Sequence, residues 1–488
     1  MISLPFCSSD ISWIDRLLGI PSRVNINPMW IVDHLFLTAG FILCVALVLR
    51  LLHSHRSPGA TIAWLLSIVL IPYVGVPLYI IFGGRKFHRM AGRKRALFDA
   101  AKDTRSDRSD SLRTIERVLS TAGMPPARRG NRIEFLADGQ TGYRALVSAI
   151  EEAGESIHLM TFILKKDDTG RAVVDLLAQK AREGIEVKLL LDALGCLTTR
   201  GRFVDSIRKA GGEIGVFMPV LPFRRKWSAN LRNHRKVVII DGRTAILGGM
   251  NLAAEYMGPK PDPDRWLDTA AVVRGPAVAD LDAIFASDWN FATEQSLEPC
   301  QPPDSAGETN GSLVQIAASG PDTPDDIVYE SIFAAIFDAK ERIWIVTPYF
   351  VPDEPLLKAL KMQARLGTDV RIIMPRQSNH RLADLARGRP LRELAAIGAR
   401  VFLCEQMVHA KLLMIDHTLA AIGSANLDQR SFYLNYEVQL FMYSPSEIQT
   451  TCRWMEQRIA DSTEMGKTRV SGMRGWAEDL SALVAPLL

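Results

Sequence analysis

The sequence predicts an α/β protein of two sandwich domains related by pseudo-twofold symmetry, preceded by an N-terminal transmembrane helical hairpin. Three observations predict it. An alternation of helical and strand patterns occurs twice, first from Tyr143 and again from Tyr329, as expected of a buried sheet covered by helices. Each copy carries the same constellation. NHRKVVIIDGRTAILGGMN holds His234, Lys236, Asp241, Gly248, Gly249 and Asn251; VHAKLLMIDHTLAAIGSAN holds His409, Lys411, Asp416, Gly423, Ser424 and Asn426, every member displaced by 175 residues. Finally, two uncharged apolar stretches, residues 35–49 and 57–84, lie near the N-terminus.

Composition bounds the rest. The 488 residues are 48% apolar and 23% charged, enough to fill two or three cores and incompatible with a disordered tail or a fibrous repeat. The six cysteines (Cys7, Cys44, Cys196, Cys300, Cys404, Cys452) are far apart with no C-x-x-C spacing. That pattern predicts reduced thiols, not a disulfide framework or a thiolate zinc site. Residues 1–130 hold 17 Lys and Arg against 8 Asp and Glu, so with an overall charge of +4 the remaining chain carries −5.

Taken in order, residues 1–28 form an N-terminal segment without the pattern of a removable signal peptide. Residues 29–84 are expected to hold the two membrane helices. Each stretch approaches the length needed to span, and Asp33, His34 and Arg50 sit at the margins of the first, where polar groups reach the interface. Pro72 and Pro77 interrupt the second stretch, which allows a kinked or re-entrant form; a pair of buried core helices is the alternative. Arg85, Lys86, Arg89, Arg93, Lys94 and Arg95 follow at once. Such a cluster predicts a cytoplasmic location for the long C-terminal part and attraction to anionic headgroups. Residues 85–130 then read as a basic juxtamembrane helix and linker, 131–292 as the first domain, 293–312 as a polar interdomain linker and 313–488 as the second domain.

The duplicated residues suit phosphodiester chemistry. His and Lys two apart project from one face of an extended segment. Two such segments about a pseudo-twofold axis bring two imidazoles, two ammonium groups and two Asn amides to one cleft. Ammonium groups hold a phosphate and stabilise its developing charge without a metal. One imidazole can attack phosphorus while the other protonates the leaving alkoxide. Asp268 and Glu437, downstream of the two copies, are the expected partners that orient the histidines. Asp241 and Asp416 complete the repeated spacing and are counted with the catalytic set, although their place at strand ends also suits a structural role. Asn251, Ser424 and Asn426 are expected to bind the phosphate. His158, His380 and His417 lack the duplicated context and are read as structural. No H-x-x-H, H-E-x-x-H or Cys/His cluster occurs, so neither a metal nor a cofactor is expected.

These residues carry a resemblance. The pattern His-x-Lys-x4-Asp-x6-Gly-(Gly/Ser)-x-Asn resembles the phospholipase D superfamily, whose domains are α/β sandwiches. More narrowly, over nearly its whole length the chain is similar to bacterial cardiolipin synthases, through RSPGATIAWLLSIVLIPYVGVPLYIIFG, HRKVVIIDGRTAILGGMNLAAEYMG, TPYFVPDEPLL and HAKLLMIDHTLAAIGSANLDQRSFYLNYEV. The resemblance implies a phosphatidyltransferase of the bacterial inner membrane with cytoplasmic catalytic domains. It would act through a phosphohistidine, with His234 as nucleophile and His409 as acid and base, on phosphatidylglycerol and other membrane phospholipids. Gly249 stands where many relatives have Ser, leaving that side one hydroxyl short. The loop at 221–232, with Arg224, Arg225, Lys226 and Trp227, is a candidate for contact with the bilayer. Hydrolysis by a phospholipase D proper and a non-catalytic lipid-binding protein are the rival readings. A nuclease, and with it a nucleic-acid partner, is disfavoured by the −5 charge of the catalytic part, since polyanion binding needs a basic surface.

Overall fold

The apolar runs read from the sequence become strands at the expected places, and the duplication becomes a symmetry of one sheet. The computed structural model describes residues 28–52, 58–82, 114–219, 230–301, 311–321, 323, 326–466 and 472–484. The basic run at 85–95, Cys7, residues 224–227 and the middle of the interdomain linker lie outside the described residues. The chain divides into two compact units, residues 1–84 and 85–488.

In the first unit, helices span Pro28–Leu52, Pro58–Leu70 and Pro72–Phe82. The second apolar stretch therefore breaks at Pro72, whereas Pro77 sits inside a helix. Leu47, Leu51, Ile68 and Tyr79 form a small shared core, with the Trp64 and Tyr79 rings edge to face at 5.3 Å. Large apolar side chains such as Leu37, Phe41, Leu70 and Tyr73 point outward, 64–87% exposed. Among the residues described with their side chains, which in the first helix begin at Leu37, no helix is long and apolar enough to cross a membrane.

In the second unit, the first half contributes β1 (Arg128–Leu136), β2 (Ser156–Thr161), β3 (Glu186–Asp192), β4 (Glu213–Phe217), β5 (Val237–Ile240), β6 (Thr244–Gly248) and β7 (Ala270–Arg274). The second contributes β8 (Ser312–Ser319), β9 (Arg342–Val346), β10 (Phe350–Val351), β11 (Asp369–Pro375), β12 (Arg400–Cys404), β13 (Leu412–Ile415), β14 (Leu419–Gly423), β15 (Leu427–Asp428), β16 (Glu437–Met442) and β17 (Ser462–Glu464). Fifteen strands form a single sheet in the order β17-β12-β11-β9-β13-β14-β16-β8-β1-β7-β6-β5-β2-β3-β4, and β10 pairs separately with β15. The antiparallel β1·β8 pair joins the halves, and the order outward from it is the same on either side: β7 matches β16, β5 matches β13, β2 matches β9 and β3 matches β11.

Helices cover both faces because the central strands are apolar on both. Gly139–Glu151 and Asp168–Arg182 bury Leu146, Ile150, Val173 and Leu177 on one face of the first half. Ile327–Asp338 and Glu354–Arg365 bury Ile332, Ile336, Leu356 and Leu360 on the equivalent face of the second. Ala277–Thr293 and Pro445–Ala460 share the opposite face and a single core that runs across both halves. Trp454 of the latter donates to Ala137 O at 2.8 Å in the first half. The described cysteines are all free thiols.

A buried arginine, held by an ion pair within the first half, ties the first duplicated segment to the opposite half. Arg235, between His234 and Lys236, contacts Asp288 at 2.7 and 2.8 Å; both are fully buried. Its remaining donors reach Ser319 O at 3.0 Å and Glu437 O at 3.1 Å, both in the second half. Removing one member of such a pair strands a charge in the interior. Asp288→Ala is therefore expected to lower stability by about 3–5 kcal/mol, and Asp288→Asn, which keeps the shape and one acceptor, by less. Chemical unfolding of the purified protein measures both.

Candidate active site

Each duplicated segment is extended just before a short strand: β5 begins at Val237 and β13 at Leu412. Before its own strand, each segment makes a parallel bridge to the other half, Asn233 with Tyr436 and Val408 with Leu267. His234 N–H donates to Tyr436 O at 2.9 Å, and His409 N–H to Leu267 O at 2.7 Å. Both histidines are thereby delivered to the seam between the halves.

The orienting carboxylates cross over. Asp268 Oδ2 lies 2.6 Å from His409 Nδ1, and Glu437 Oε1 lies 3.4 Å from His234 Nδ1. Each acid is fully buried and comes from the half opposite its histidine. With Nδ1–H facing a carboxylate, Nε2 is left to carry the lone pair. Asp268 is steadied by Thr269 N–H at 2.8 Å. Glu437 accepts from Ser424 Oγ at 2.5 Å and from the Asn435 amide at 3.2 Å. Lys236 Nζ donates to His234 O at 2.6 Å. Lys411 Nζ contacts His409 O and lies 2.8 Å from the ring Nδ1.

Burial sets the protonation of this cluster. It pushes His409 down to about 4, aided by the Lys411 charge. It also lowers His234, against the pull of Glu437. Lys236 falls to about 8 and Lys411 to about 7, again mainly by burial, while Glu437 and Asp268 act to keep both charged. Burial opposes charge on Asp268 and Glu437 too, but His409 and Lys411 hold the first below its ordinary range and His234 and Lys236 the second. Lys236 feels carboxylates from both halves, so the two copies form one electrostatic unit. An anion entering it meets two cations and two neutral imidazoles.

The other expected residues divide. Asp241 and Asp416 are not in the cleft. Each ends its strand with positive φ, 52° and 48°, and its carboxylate accepts backbone N–H groups at the far end of the neighbouring strand. Asp241 takes those of Gly154, Glu155 and Ser156 at 2.7–2.9 Å, and Asp416 takes those of Lys340, Glu341 and Arg342. They lock a loop, and the catalytic expectation for them is corrected. Ser424 is corrected as well: fully buried, it spends its hydroxyl on Glu437 and accepts Val438 N–H, so it stands behind the carboxylate rather than before a phosphate. On the other side a Cβ at Gly249 would lie 2.1 Å from Asp268 Oδ1. The missing hydroxyl there reflects space already filled by the acid. Asn251 Oδ1 accepts Ile163 N–H at 3.1 Å, which leaves its amide hydrogens for other partners. His158 is structural as expected, bonded to Asp282 at 2.8 Å and stacked on Phe285.

Sequence reasoning missed several neighbours. Phe162 lies 4.0 Å from the His234 ring, and Tyr256 and Trp266 lie 4.9 and 5.6 Å from that of His409. Asn435 places its amide 3.2 Å from His234 Nδ1. The Arg430 guanidinium adds a third cation whose field reaches His234. Asn435 and Arg430 stand within the LDQRSFYLNYE run, where adjacency to Glu437 was a usable signal; the aromatic contacts are long-range and left none.

Comparisons with known proteins identify the family and the fold. Residues 146–289 and 332–459 match the family described as cardiolipin synthase, PLD-like domain, and residues 41–84 match the phospholipase D-nuclease N-terminal family. A cardiolipin synthase of Geobacillus kaustophilus is 34% identical, the alignment covering 98% of this chain and 95% of that one. Cardiolipin synthase A of Pseudomonas putida is 33% identical over 92% of this chain and 96% of its own. Among solved structures, phosphatidylserine synthase from Haemophilus influenzae superposes with a TM-score of 0.60 at 14% identity, covering 77% of this chain and all of that one, a likeness of fold.

Two outcomes follow from these placements. Ser424→Ala removes a support of Glu437, so turnover is expected to fall about tenfold with little change in KM, the worth of one charge-assisted hydrogen bond; steady-state kinetics on lipid vesicles measure it. Asp241→Ala is expected to lower stability by about 2 kcal/mol while the fraction that remains folded keeps its turnover, as thermal unfolding and active-fraction assays would read.

Proposed function

The chain belongs to the cardiolipin synthase family with phospholipase D-like domains, and from that premise we propose that it moves the phosphatidyl group of one phosphatidylglycerol onto another, giving cardiolipin and glycerol. The observation that carries the proposal is the crossed pairing of each imidazole with a buried carboxylate of the other half, around two buried lysines.

His234 Nε2 attacks phosphorus, and the phosphorus–oxygen bond to glycerol breaks as His409, in its protonated form, gives its proton to the departing oxygen. A phosphatidyl-His234 intermediate remains. Neutral His409 then takes the proton of a second lipid hydroxyl, whose oxygen bonds to phosphorus as the phosphorus–nitrogen bond breaks. Lys236, Lys411 and the side-chain amides of Asn251 and Asn426 hold the non-bridging oxygens. Glu437 and Asp268 stabilise the imidazolium forms. Two features support His234 as the nucleophile. It is the more accessible imidazole, with 18% of its side chain exposed against 8% for His409. Arg430 also adds positive charge on its side, where the anionic phosphatidyl group would reside. An anionic phosphodiester raises the low pKa of His409, so substrate binding itself loads the acid.

We extend the proposal to the membrane. Residues 29–84 form a hairpin in the inner membrane, with the outward apolar side chains of its helices facing lipid, and the domains at 131–292 and 313–488 lie on the cytoplasmic side, where the basic run after residue 84 holds them at the surface. Substrate lipids are then concentrated at the cleft, and burial of the site shields the intermediate from competing bulk water.

His234→Ala is expected to reduce transfer by several orders of magnitude and to abolish acid-labile attachment of labelled phosphatidyl groups to the protein, whereas excess EDTA leaves transfer intact. Product analysis on phosphatidylglycerol vesicles decides the reaction: cardiolipin with released glycerol is expected, and phosphatidate alone would overturn transfer. The pH profile follows from the shifted groups. Lys411 and Lys236 lose charge as pH rises through about 7 and about 8, so kcat/KM is expected to fall across that window. The kcat limb, which reports the anion-bound enzyme, should lie at higher pH. The acid limb belongs below 6.5, because burial lowers His234.

A further inference from the structure

We propose that the His409 side of the cleft is a subsite for a polyol headgroup, in which the Tyr349 hydroxyl, the Asn379 amide and the Asn426 side-chain carbonyl take the hydroxyls of glycerol as it leaves and of a glycerol-bearing acceptor as it arrives. The inference rests on the transfer reading above and adds the residues that choose the alcohol.

The pseudo-twofold relation makes the case by contrast. Thr161 Oγ1 donates to Ile163 O at 3.0 Å, and Thr347 Oγ1 donates to Tyr349 O at 2.8 Å. Ile163 and Tyr349 are therefore equivalent positions on the loops that follow β2 and β9. In the first half the position is aliphatic, and its N–H satisfies Asn251 Oδ1. In the second it carries a phenol, which donates to Asn379 Oδ1 at 2.6 Å and packs on His380 at 5.2 Å. The β10·β15 register, Phe350 with Leu427, places Tyr349 beside Asn426. There the symmetry fails again, because Asn426 Oδ1 is a buried acceptor without a hydrogen-bond partner, in a residue 5% exposed. Tyr256, whose ring lies 4.9 Å from that of His409, adds a hydroxyl bonded to Asn251, and Tyr349 feels the charge of Asp268, the partner of His409.

The two histidines thus have different company. His234 is bordered by the Phe162 ring, the Asn435 amide and the Arg430 cation, donors and an apolar face that suit an anion with an apolar body. His409 is bordered by the rings of Tyr256 and Trp266; Tyr256 in turn feels Tyr349, whose hydroxyl, with the Asn379 and Asn426 side chains next to it, offers both donors and acceptors. An alcohol hydroxyl needs one of each, and the unmet Asn426 acceptor can receive a hydroxyl hydrogen but repels a phosphate oxygen. In the second half-reaction the acceptor oxygen bonds to phosphorus, the bond to His234 breaks, and the proton passes to His409; the neighbouring hydroxyls of the same glycerol remain to be held by Tyr349, Asn379 and Asn426. A site built for those hydroxyls disfavours an alcohol that lacks them.

The experiment is a competition in proteoliposomes of the full chain with phosphatidylglycerol as donor. Deuterated glycerol and 1-propanol are present at equal concentration, and labelled phosphatidylglycerol and phosphatidylpropanol are read by mass. The product ratio does not depend on how much of the enzyme is active. The wild type is expected to favour glycerol, and Tyr349→Phe to lower the ratio about threefold to tenfold, the worth of one neutral hydrogen bond. Asn379→Ala is expected to do the same, and it carries the test if the phenylalanine variant does not accumulate. A ratio unchanged in both variants overturns the subsite and leaves the transfer reading standing. A wild type that yields phosphatidate and neither alcohol product overturns the transfer reading itself.

Discussion

The cleft depends on two short parallel bridges, Asn233 with Tyr436 and Leu267 with Val408. Each bridge fixes the backbone of one histidine segment against the half that supplies its carboxylate, so position and charge partner come from the same contact. Glu437 follows directly on Tyr436, and Asp268 on Leu267. A shift of one residue in either bridge would turn the acid to the other face of its extended segment. The Arg235–Asp288 pair guards the first of these registers by bonding also to the carbonyls of Ser319 and Glu437; at the second, the corresponding residue is Ala410, buried in the shared core.

Concentrating two imidazoles, two ammonium groups and two carboxylates largely out of contact with water is unfavourable for each alone. The cluster is tolerable because opposite charges alternate through it. Lys236 is acted on by both acids, and each acid is acted on by a histidine and a lysine. What remains is a set of cations weakened by burial, which gain most when an anion arrives. Under the proposed mechanism, binding and activation are then one electrostatic event, in which an entering anion favours charge on the lysines and raises the proton affinity of His409.

Much of this was legible in the sequence because the chain states it twice. His234 with His409 and Lys236 with Lys411 were found by their common offset, and the alternation of patterns located β2, β3, β9 and β11. The carboxylates Asp268 and Glu437 were visible as acids entering strand-like runs, but not their crossing, because which half supplies an acid is decided by the sheet order across the β1·β8 seam. Asp241 and Asp416 misled for a physical reason. A repeated spacing reports a shared backbone need as readily as shared chemistry, and theirs is a left-handed turn whose side chain collects three N–H groups. Ser424 misled because sequence cannot say which side of a carboxylate a hydroxyl occupies. The aromatic frame of Phe162, Tyr256 and Trp266 had no periodic signal at all.

The different supports behind the two acids have a wider consequence. Asp268 fills the volume that a side chain at residue 249 would need, while the longer Glu437 rests against Ser424. In a symmetric homodimer any mutation is written into both active-site halves at once, and neither imidazole can be retuned without its twin. A single polypeptide carrying both halves escapes that coupling. Its acid length and the packing behind it can differ on one side alone, so the surroundings of the two imidazoles can be adjusted separately.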